Sequence, residues 1–299
     1  MRISVVGGGL MGAGIAQVFA SAAHDVLLYE PDRAARDFLH DRVATNLRAI
    51  GADVAAADRI VTTDDLSVAV RDAGFVTEAA PERLDLKRAL FGQIEKYAPP
   101  DAILASNSSV IPIGHIAEGL ATAERMVGTH WWNPAPLIPL VEVIQGKRTS
   151  QQTVASTMTL LRSIGKAPAH VQKDVAGFVA NRLQHALWRE AIAMVAAGIC
   201  DAATLDDCVK NSFGLRLAVL GPLENADLVG LDLTLDIHRT IIPELDRHAG
   251  PHELLTAQVE AGHLGFKTGQ GFRVWTEAEM TAVRARLTRH LVTAAQARK

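Results

Sequence analysis

This sequence of 299 residues has few cysteines, no long apolar run and no excess of basic residues. The two cysteines, Cys200 and Cys208, lie close together without the spacing of metal ligands, which indicates free thiols in a reducing compartment. No apolar run is long enough to span a bilayer, and no signal peptide precedes the first predicted strand. We therefore expect a cytoplasmic protein that binds no metal and no membrane.

The balance of charge excludes a further class of partner. The formal net charge is −3 and no basic run stands out, so nothing favours binding to nucleic acid. A hydrophobic content of 48% and a charged content of 21% are typical of a folded globular protein. With 299 residues, the chain is long enough for two domains with a core each.

The first thirty residues predict a nucleotide-binding unit. Residues 3–6 have the pattern of a buried strand, residues 7–12 form a Gly-x-Gly-x-x-Gly turn, and an apolar helix pattern follows. A second strand, residues 26–29, ends in Glu30. A glycine pattern alone is weak evidence. Its position between a strand and a helix, with an acid after the next strand, is typical of a dinucleotide-binding site.

Each residue of this turn has a physical role. Gly7 permits the tight turn, Gly9 lets the backbone approach a pyrophosphate, and Gly12 lets the helix pack against the strand. Leu10 and Met11 begin the helix, whose free N–H groups and positive dipole end attract phosphate. We predict that these five residues bind the cofactor.

Glu30 indicates which dinucleotide to expect. Its carboxylate would accept hydrogen bonds from both hydroxyls of a ribose and would repel a 2′-phosphate, so NAD is favoured over NADP. The alternative interpretation of Glu30 is a solvated loop acid.

The rest of the first half alternates between strand and helix patterns. Strands are predicted at residues 60–63, 75–80, 103–106 and 126–130, and helices at about 33–51, 85–97 and 113–120. Such alternation predicts a parallel, doubly wound sheet of the Rossmann type, in which ligands bind at the C-terminal strand ends. Glu82, Lys87, Ser109 and His130 all follow strands at that edge.

The second half has a different pattern. A helix that begins after Ser150 and a strand at residues 167–171 complete the first predicted domain, residues 1–173. Strand patterns then nearly disappear, and a long helix from about residue 177 to 197 opens a helical domain, residues 174–299. We predict the α/β class, with a Rossmann-type domain followed by an all-α domain and a substrate cleft between them.

His130 and Glu142 are the most informative pair of residues. Residues 130–136 read as a strand end followed by a proline-rich turn, and residues 140–144 form an apolar strand that contains one carboxylate. Burying Glu142 is costly without a partner, and a hairpin would make His130 that partner. A buried glutamate that holds a histidine is a way to make a general base. The alternative is a glutamate at a sheet edge and a histidine bound by backbone.

Several spaced motifs resemble the L-3-hydroxyacyl-CoA dehydrogenase superfamily. They occupy residues 7–12, 106–109, 130–134, 140–143, 177–183 and 265–272. The resemblance covers essentially the whole chain in order, and it implies a fold, a cofactor and a mechanism.

The resemblance implies a role for each matching residue. His130 would be the general base, Glu142 would hold its imidazole, and Ser109 and Asn181 would hydrogen-bond the substrate oxygen while the hydride passes to NAD. By sequence alone, Asn181 is equally well explained as a helix cap or a hinge hydrogen bond.

The resemblance also implies further contacts. Glu82, Lys87 and Asn107 would be neighbours of the cofactor, and the protein would form a homodimer through its helical domain.

The chain departs from the acyl-CoA branch of that family. Between residues 31 and 60 it has five arginines, five aspartates and no lysine, where that branch has a longer, lysine-rich insertion that grips CoA. Pro139 and residues 214–222 are more similar to the branch that contains L-gulonate dehydrogenase (lambda-crystallin), carnitine dehydrogenase and a pyridine-carboxylate dehydrogenase. Arg216 would then clamp a substrate carboxylate, and a surface ion pair is the alternative.

Three functions remain open on this basis. The first is NAD-dependent oxidation of the secondary alcohol of a small hydroxy acid, with His130 and Glu142 as the catalytic pair. The second is the same reaction on an (S)-3-hydroxyacyl-CoA. The third is a nucleotide-binding, crystallin-like protein without turnover. All four predicted catalytic positions are filled, which argues against this third function.

Overall fold

The computed structural model describes residues 1–298 and divides the chain into two compact units. The N-terminal unit contains Met1–Asn181 together with the C-terminal residues from Thr288 onward, and the helical unit contains Arg182–Leu287. None of the helices in the described part of the chain has the length and apolar content needed to cross a membrane.

A single eight-stranded sheet forms the centre of the N-terminal unit. Its strands are β1 (Arg2–Val6), β2 (Asp25–Tyr29), β3 (Ile60–Thr63), β4 (Phe75–Glu78), β5 (Ile103–Ser106), β6 (Met126–Trp131), β7 (Leu140–Ile144) and β8 (Ala167–Val171). The spatial order is β3-β2-β1-β4-β5-β6-β7-β8, in which the first six strands are parallel. β7 pairs antiparallel to β6, and β8 pairs parallel to β7. The predicted doubly wound α/β fold is confirmed, and its strand order reverses between β1 and β4, where such sheets bind nucleotides.

Helices cover both faces of this sheet. They are α1 (Leu10–Ser21), α2 (Arg33–Asp37), α3 (Leu39–Ala49), α4 (Leu66–Val70), α5 (Leu84–Tyr97), α6 (Ile113–Ile116) and α7 (Gln151–Ser163). One buried cluster packs α1, α3 and α7 on the sheet, and a second cluster packs α4, α5 and α6. Alternate side chains of a strand point to opposite faces, so neighbours such as Phe75 and Val76 belong to different clusters. Both faces are covered, which explains why the central strands β4 and β6 are buried along their whole length.

Four predicted elements differ from the structure. The strand predicted at residues 75–80 ends at Glu78. The helix predicted at residues 33–51 is interrupted at Phe38, where the backbone has φ −90° and ψ −7°. The helix predicted at 113–120 ends at Ile116 after four residues. The long helix begins at Ala180 and not near residue 177, because Gly177 and Phe178 have positive φ angles of 74° and 49°. A positive φ is incompatible with a right-handed helix.

The helical unit consists of short and medium-length helices. They are α8 (Ala180–Ala196, which begins in the N-terminal unit), α9 (Ala202–Lys210), α10 (Pro222–Val229), α11 (Leu231–Ile241), α12 (Glu253–Glu260) and α13 (Glu277–Gln296). Among the residues described from Arg182 to Leu287, Met280 alone is buried. Large apolar side chains of α10 and α11 are exposed instead, including Leu228 at 72% and Leu233 at 51%.

Candidate active site

The glycine-rich turn at the end of β1 has the geometry of a phosphate cradle. Gly7 has a φ of 107°, and a Cβ atom on it would lie 2.9 Å from the carbonyl oxygen of Ala79. A Cβ on Gly12 would lie 1.8 Å from the carbonyl oxygen of Gly7, so no other residue fits there. A Cβ on Gly9, by contrast, would have no described atom within 4 Å, which leaves the backbone there open to a ligand. Leu10 and Met11 follow in the first turn of α1.

Glu30 lies directly beside this turn. Its Oε2 accepts a hydrogen bond of 2.8 Å from the N–H of Gly8, and its Oε1 accepts one of 3.0 Å from the N–H of Asp32. The carboxylate is therefore held at the C-terminal end of β2. This strand is the neighbour of β1, at whose end the glycine-rich turn lies. A fixed acceptor at this position suits the hydroxyl groups of a ribose, so these residues fit a bound NAD.

His130 and Glu142 lie directly opposite each other in the antiparallel pair β6–β7. The His130 Nδ1 and Glu142 Oε2 atoms are 2.7 Å apart, and the residues are 4% and 1% exposed. His130 Nε2 has no partner among the described residues, so one ring nitrogen is held and the other is free. The rings of Trp132 and Phe178 flank the imidazole at centroid distances of 5.4 and 5.6 Å.

Glu142 also holds the segment that leads into α8. Its Oε1 accepts hydrogen bonds from the N–H groups of Val179 at 2.9 Å and Ala180 at 3.1 Å. Burial raises the pKa of the Glu142 carboxyl, but the bonds from His130, Ala180 and Val179 outweigh it, and the pKa lies below its ordinary value. One carboxylate thus fixes both the imidazole and the start of the helix that carries Asn181.

Asn181 and Ser109 are in direct contact. The Asn181 side chain donates a 3.2 Å hydrogen bond from Nδ2 to the backbone carbonyl of Ser109. The Ser109 hydroxyl has no hydrogen-bond partner among the described residues and is partly exposed. It is therefore free to bind a ligand.

Glu82 organises the turn that contains Ser109. Its Oε1 accepts hydrogen bonds from the Ser108 hydroxyl and from the N–H groups of Ser109, Val110 and Ile111. Burial raises the pKa of the Glu82 carboxyl, but these bonds and the charge of Lys87 outweigh it and lower the pKa. Glu82 therefore stays ionised and holds the turn.

Two predicted cofactor neighbours are occupied by protein partners. The Asn107 Oδ1 atom accepts a 2.9 Å hydrogen bond from the N–H of Trp131, which joins the ends of β5 and β6. Lys87 is fully buried, and its Nζ lies 2.6 Å from Oε1 of Glu78. Sequence reasoning missed Glu78, because a carboxylate at the end of an apolar strand resembles any loop acid until its partners are known.

Lys166 is a second residue that the sequence did not single out. Its ammonium donates to the carbonyl oxygens of Ala135 and Ile138, in the turn between β6 and β7. Burial lowers its pKa to about 8. The same turn packs against α1, where a Cβ on Gly14 would lie 3.3 Å from the Cβ of Ala135. These contacts bring the turn that follows His130 against the helix of the phosphate cradle.

Arg216 lies in the helical unit, directly after the short helix Phe213–Leu215. The residue is exposed, and no described residue pairs with its guanidinium. No cluster of three or more histidine, cysteine or acidic side chains that suits a metal ion is found in the described part of the chain.

Comparisons with known proteins identify the family of the chain. The family model of the 3-hydroxyacyl-CoA dehydrogenase NAD binding domain matches residues 2–175, and that of the 3-hydroxyacyl-CoA dehydrogenase C-terminal domain matches residues 177–275. A 5-formyl-3-hydroxy-2-methylpyridine 4-carboxylate 5-dehydrogenase of Mesorhizobium japonicum is 36% identical over 296 residues, which cover 97% of this chain and 96% of the relative. An L-carnitine dehydrogenase of Streptomyces coelicolor is 39% identical over 233 residues, which cover 77% of this chain and 73% of the relative.

A solved structure is also similar over nearly the full length. The crystal structure of a 5-dehydrogenase of the same pyridine carboxylate, described as an NAD⁺-dependent dismutase, has a TM-score of 0.91 at 34% identity and covers 98% of this chain and 96% of that chain. The resemblance to the branch with pyridine-carboxylate and carnitine dehydrogenases is confirmed. The chain belongs to the 3-hydroxyacyl-CoA dehydrogenase family and is an NAD-dependent dehydrogenase that acts on CH–OH groups.

Proposed function

We propose that the protein oxidises the secondary alcohol of a small hydroxy acid, with His130 as general base and Glu142 as its partner. The 2.7 Å contact between His130 Nδ1 and Glu142 Oε2 supports this proposal most strongly. A carboxylate on Nδ1 keeps the proton at that nitrogen, so the lone pair of Nε2 remains available. It also stabilises the imidazolium that forms when Nε2 takes the hydroxyl proton of the substrate.

The remaining site residues bind and orient the substrate. NAD, when bound, supplies the acceptor for the hydride that leaves the substrate carbon. The free Ser109 hydroxyl and the remaining N–H of the Asn181 amide hydrogen-bond the substrate oxygen as it becomes a carbonyl. Gly7, Gly9, Leu10, Met11, Gly12 and Glu30 bind NAD, and Asn107 supports the strand end beside it.

We propose a free acid as the substrate, in which Arg216 pairs with the carboxylate. The relative from Mesorhizobium japonicum is named for a pyridine 4-carboxylate, an anion without CoA. The unpaired, exposed guanidinium of Arg216 supplies a planar pair of donors that suits two carboxylate oxygens. A charge-assisted pair of this kind contributes about 1.5–3 kcal/mol.

We also propose a homodimer formed through the helical unit, in a cytoplasmic protein. One buried residue among those described from Arg182 to Leu287 is too few for an independently stable fold. The exposed apolar side chains of α10 and α11 would be buried against the same helices of a second copy, as in an obligate interface.

Replacing His130 with Gln tests the catalytic role. We expect kcat to fall by about 10³-fold or more with little change in NAD affinity, because the variant keeps the size of the side chain and loses the base. His170→Gln is the matched control, since His170 is exposed on β8 and its side chain bonds Gln145, away from the site residues. An unchanged rate in the His130 variant would remove the proposed base.

The family name makes a 3-hydroxyacyl-CoA the second candidate substrate. A screen of small hydroxy acids against the corresponding CoA thioesters, followed by NADH absorbance, separates the two. Arg216→Ala should raise KM for the free acid by about 10- to 100-fold. Arg239→Ala removes an exposed arginine of the same unit and should leave KM for the free acid unchanged. Strong preference for the thioester, with no effect of Arg216→Ala, would favour the acyl-CoA reaction.

A further inference from the structure

Phe178 has a backbone conformation that bulky residues rarely adopt. Its φ angle is 49°, and among the described residues other than glycine it shares a positive φ only with Ala23. Ala23 is small and exposed, whereas Phe178 is 1% exposed. The left-handed region is sterically unfavourable for a bulky side chain, and such strain persists only where the surrounding contacts enforce it. A glycine would adopt the same backbone without this cost, but it would lose the contacts of the phenyl ring.

The phenyl ring of Phe178 packs against the imidazole of His130. The two ring centroids lie 5.6 Å apart, and the ring planes are inclined by 53°. The other ring beside the imidazole, that of Trp132, belongs to a partly exposed residue. Phe178, by contrast, belongs to the buried cluster that also contains Ile144 and Val171. Of the two rings at the imidazole, the phenyl ring is therefore the one anchored in the core.

The hydrogen bond to Glu142 does not by itself fix the plane of the imidazole. It joins one ring nitrogen, Nδ1, to Oε2 at 2.7 Å. The χ2 angle of a histidine has broad preferences, so the side chain supplies little restraint of its own. A buried ring packed against the imidazole limits this rotation. The direction of Nε2, which takes the proton in the proposed reaction, thus depends on Phe178.

The backbone after Phe178 contacts the other member of the pair. The N–H groups of Val179 and Ala180 follow directly and donate to Oε1 of Glu142 at 2.9 and 3.1 Å. The N–H of Phe178 itself donates to the carbonyl of Val175 at 3.1 Å, which closes the turn. Residues 178–180 therefore contact the imidazole through a side chain and the carboxylate through the backbone.

We propose that Phe178 is a positioning residue, which orients the His130 imidazole through its ring and holds Glu142 through the two N–H groups that follow it. The inference rests on the proposed role of His130 and deepens it. Phe178 takes no part in the proton transfer, because a phenyl ring has no group that accepts or donates a proton. It acts on the rate through geometry, and a displacement of about 1 Å at the reacting atoms is enough to lower turnover by roughly 10²-fold.

Phe178→Leu tests the role of the ring. Leucine keeps an apolar side chain in the cluster and loses the flat aromatic face. We expect kcat to fall by about 10- to 100-fold, with the affinity for NAD within about threefold of the original value, because NAD binding uses the glycine-rich turn and Glu30. Phe75→Leu is the matched control, since Phe75 is also 1% exposed in the same unit and its ring contacts that of Phe19 at 5.9 Å. It should leave kcat unchanged.

NMR of the imidazole gives a readout that does not depend on activity. The Nδ1 proton between His130 and Glu142 is buried, so in the wild type without substrate it should exchange slowly and give a resolved signal. His130→Gln assigns this signal by removing it. In Phe178→Leu the signal should broaden or disappear, because the imidazole is no longer held in one plane. In Phe75→Leu it should remain.

Phe178→Gly separates the ring from the backbone. Glycine adopts a positive φ without strain and has no ring, so we expect the same losses of kcat and of the imidazole signal as in Phe178→Leu. Wild-type kcat in the glycine variant would show that the backbone conformation alone is sufficient, and it would overturn the inference.

Three other results would overturn the inference and leave the proposed reaction intact. They are an unchanged kcat and imidazole signal in Phe178→Leu, an equal loss of kcat in Phe75→Leu, and NAD affinity weakened by about tenfold in Phe178→Leu alone, which would indicate a general structural role. His130→Gln tests the proposed reaction separately, because full activity of that variant would remove the base whether or not Phe178 orients it.

Discussion

The two units of this chain bury their apolar residues in opposite ways. The N-terminal unit packs helices on both faces of one sheet and has a fully buried cluster on each side. In the helical unit, Met280 is the one buried residue among those described from Arg182 to Leu287, although the unit is rich in leucine and isoleucine. The difference shows that a hydrophobic sequence pattern encodes a helix but does not encode the surface against which the apolar side chains of that helix pack. In the first unit the helices pack on the sheet, and for the second unit we propose that they pack on a second copy of the chain.

The largest effect is expected from a charge on the exposed apolar face of α11. Ile237 is 43% exposed in the single chain and would be buried in a dimer. Ile237→Glu would place an unpaired carboxylate in the interface of both copies, at a cost of roughly 5 kcal/mol in total. We expect the dimer to dissociate and the helical unit to lose structure. Analytical ultracentrifugation and circular dichroism measure these two effects.

Thr240→Glu adds the same charge to the same helix at a position that is already polar and exposed. It should leave the dimer unchanged. If Ile237→Glu and the wild type are both compact monomers, the contrast between the two units does not have the origin proposed here.

The next effect concerns the N-terminal unit alone. Glu142→Gln replaces the acceptor of His130 Nδ1 with an amide, which can hold the imidazole in the wrong tautomer. We expect kcat to fall by about 10³-fold while the dimer persists, because Glu142 bonds only residues of its own unit. Steady-state kinetics and sedimentation check the two parts, and dissociation of this variant would show that the units are not independent.

The same carboxylate gives a pH dependence with a defined sign. The pKa of Glu142 in the folded protein lies below its ordinary value of 4.5, so the folded state binds its proton less readily than the unfolded chain. The stabilisation is present above pH 4.5 and is lost as the pH falls through the folded-state pKa. The wild type should therefore lose more stability than Glu142→Gln on acidification, as urea unfolding would show.

The sequence predicted the parts of this molecule that depend on local pattern. The eight strands, the Ser150 N-cap and the opposition of His130 to Glu142 follow from periodicity and turn chemistry, and all are present, although the strand predicted at residues 75–80 ends two residues early. The interruption at Phe38 and the late start of α8 depend on single backbone angles that propensity does not encode. Glu78 and Lys166 gain their partners from residues up to 31 positions away, so only the folded sheet reveals them.

Lys166 predicts an effect of intermediate size at alkaline pH. Burial lowers its pKa from 10.5 to about 8, so between these values the unfolded chain binds more protons than the folded one. The contribution of Lys166 to the free energy of unfolding therefore rises with pH in that window, by up to roughly 3 kcal/mol.

Urea unfolding at pH 7.5 and at pH 10 measures this effect as the free energy of unfolding of the wild type minus that of Lys166→Met. The difference should be larger at the higher pH. Lys210→Met is the control in the helical unit, because an exposed lysine loses little hydration on folding and its removal should act equally at both pH values. An equal difference at both pH values for Lys166→Met would contradict the role of burial.

The smallest effect separates the unfolding of the two units. Ser150 and Asp201 both accept hydrogen bonds at helix N-termini, the first in the N-terminal unit from Thr153 and the second in the helical unit from Thr204. Ser150→Ala should cost about 1 kcal/mol and lower a thermal transition whose midpoint does not depend on protein concentration. Asp201→Ala should lower a transition whose midpoint rises with protein concentration, because in the proposed dimer the helical unit folds against a second copy. Each cap accepts a hydrogen bond from the N–H three residues later and contacts no second copy itself, so a difference in concentration dependence must come from what the helices behind the caps pack against. If both variants shift one transition that is independent of concentration, the helical unit is stabilised within the single chain and the dimer proposal fails.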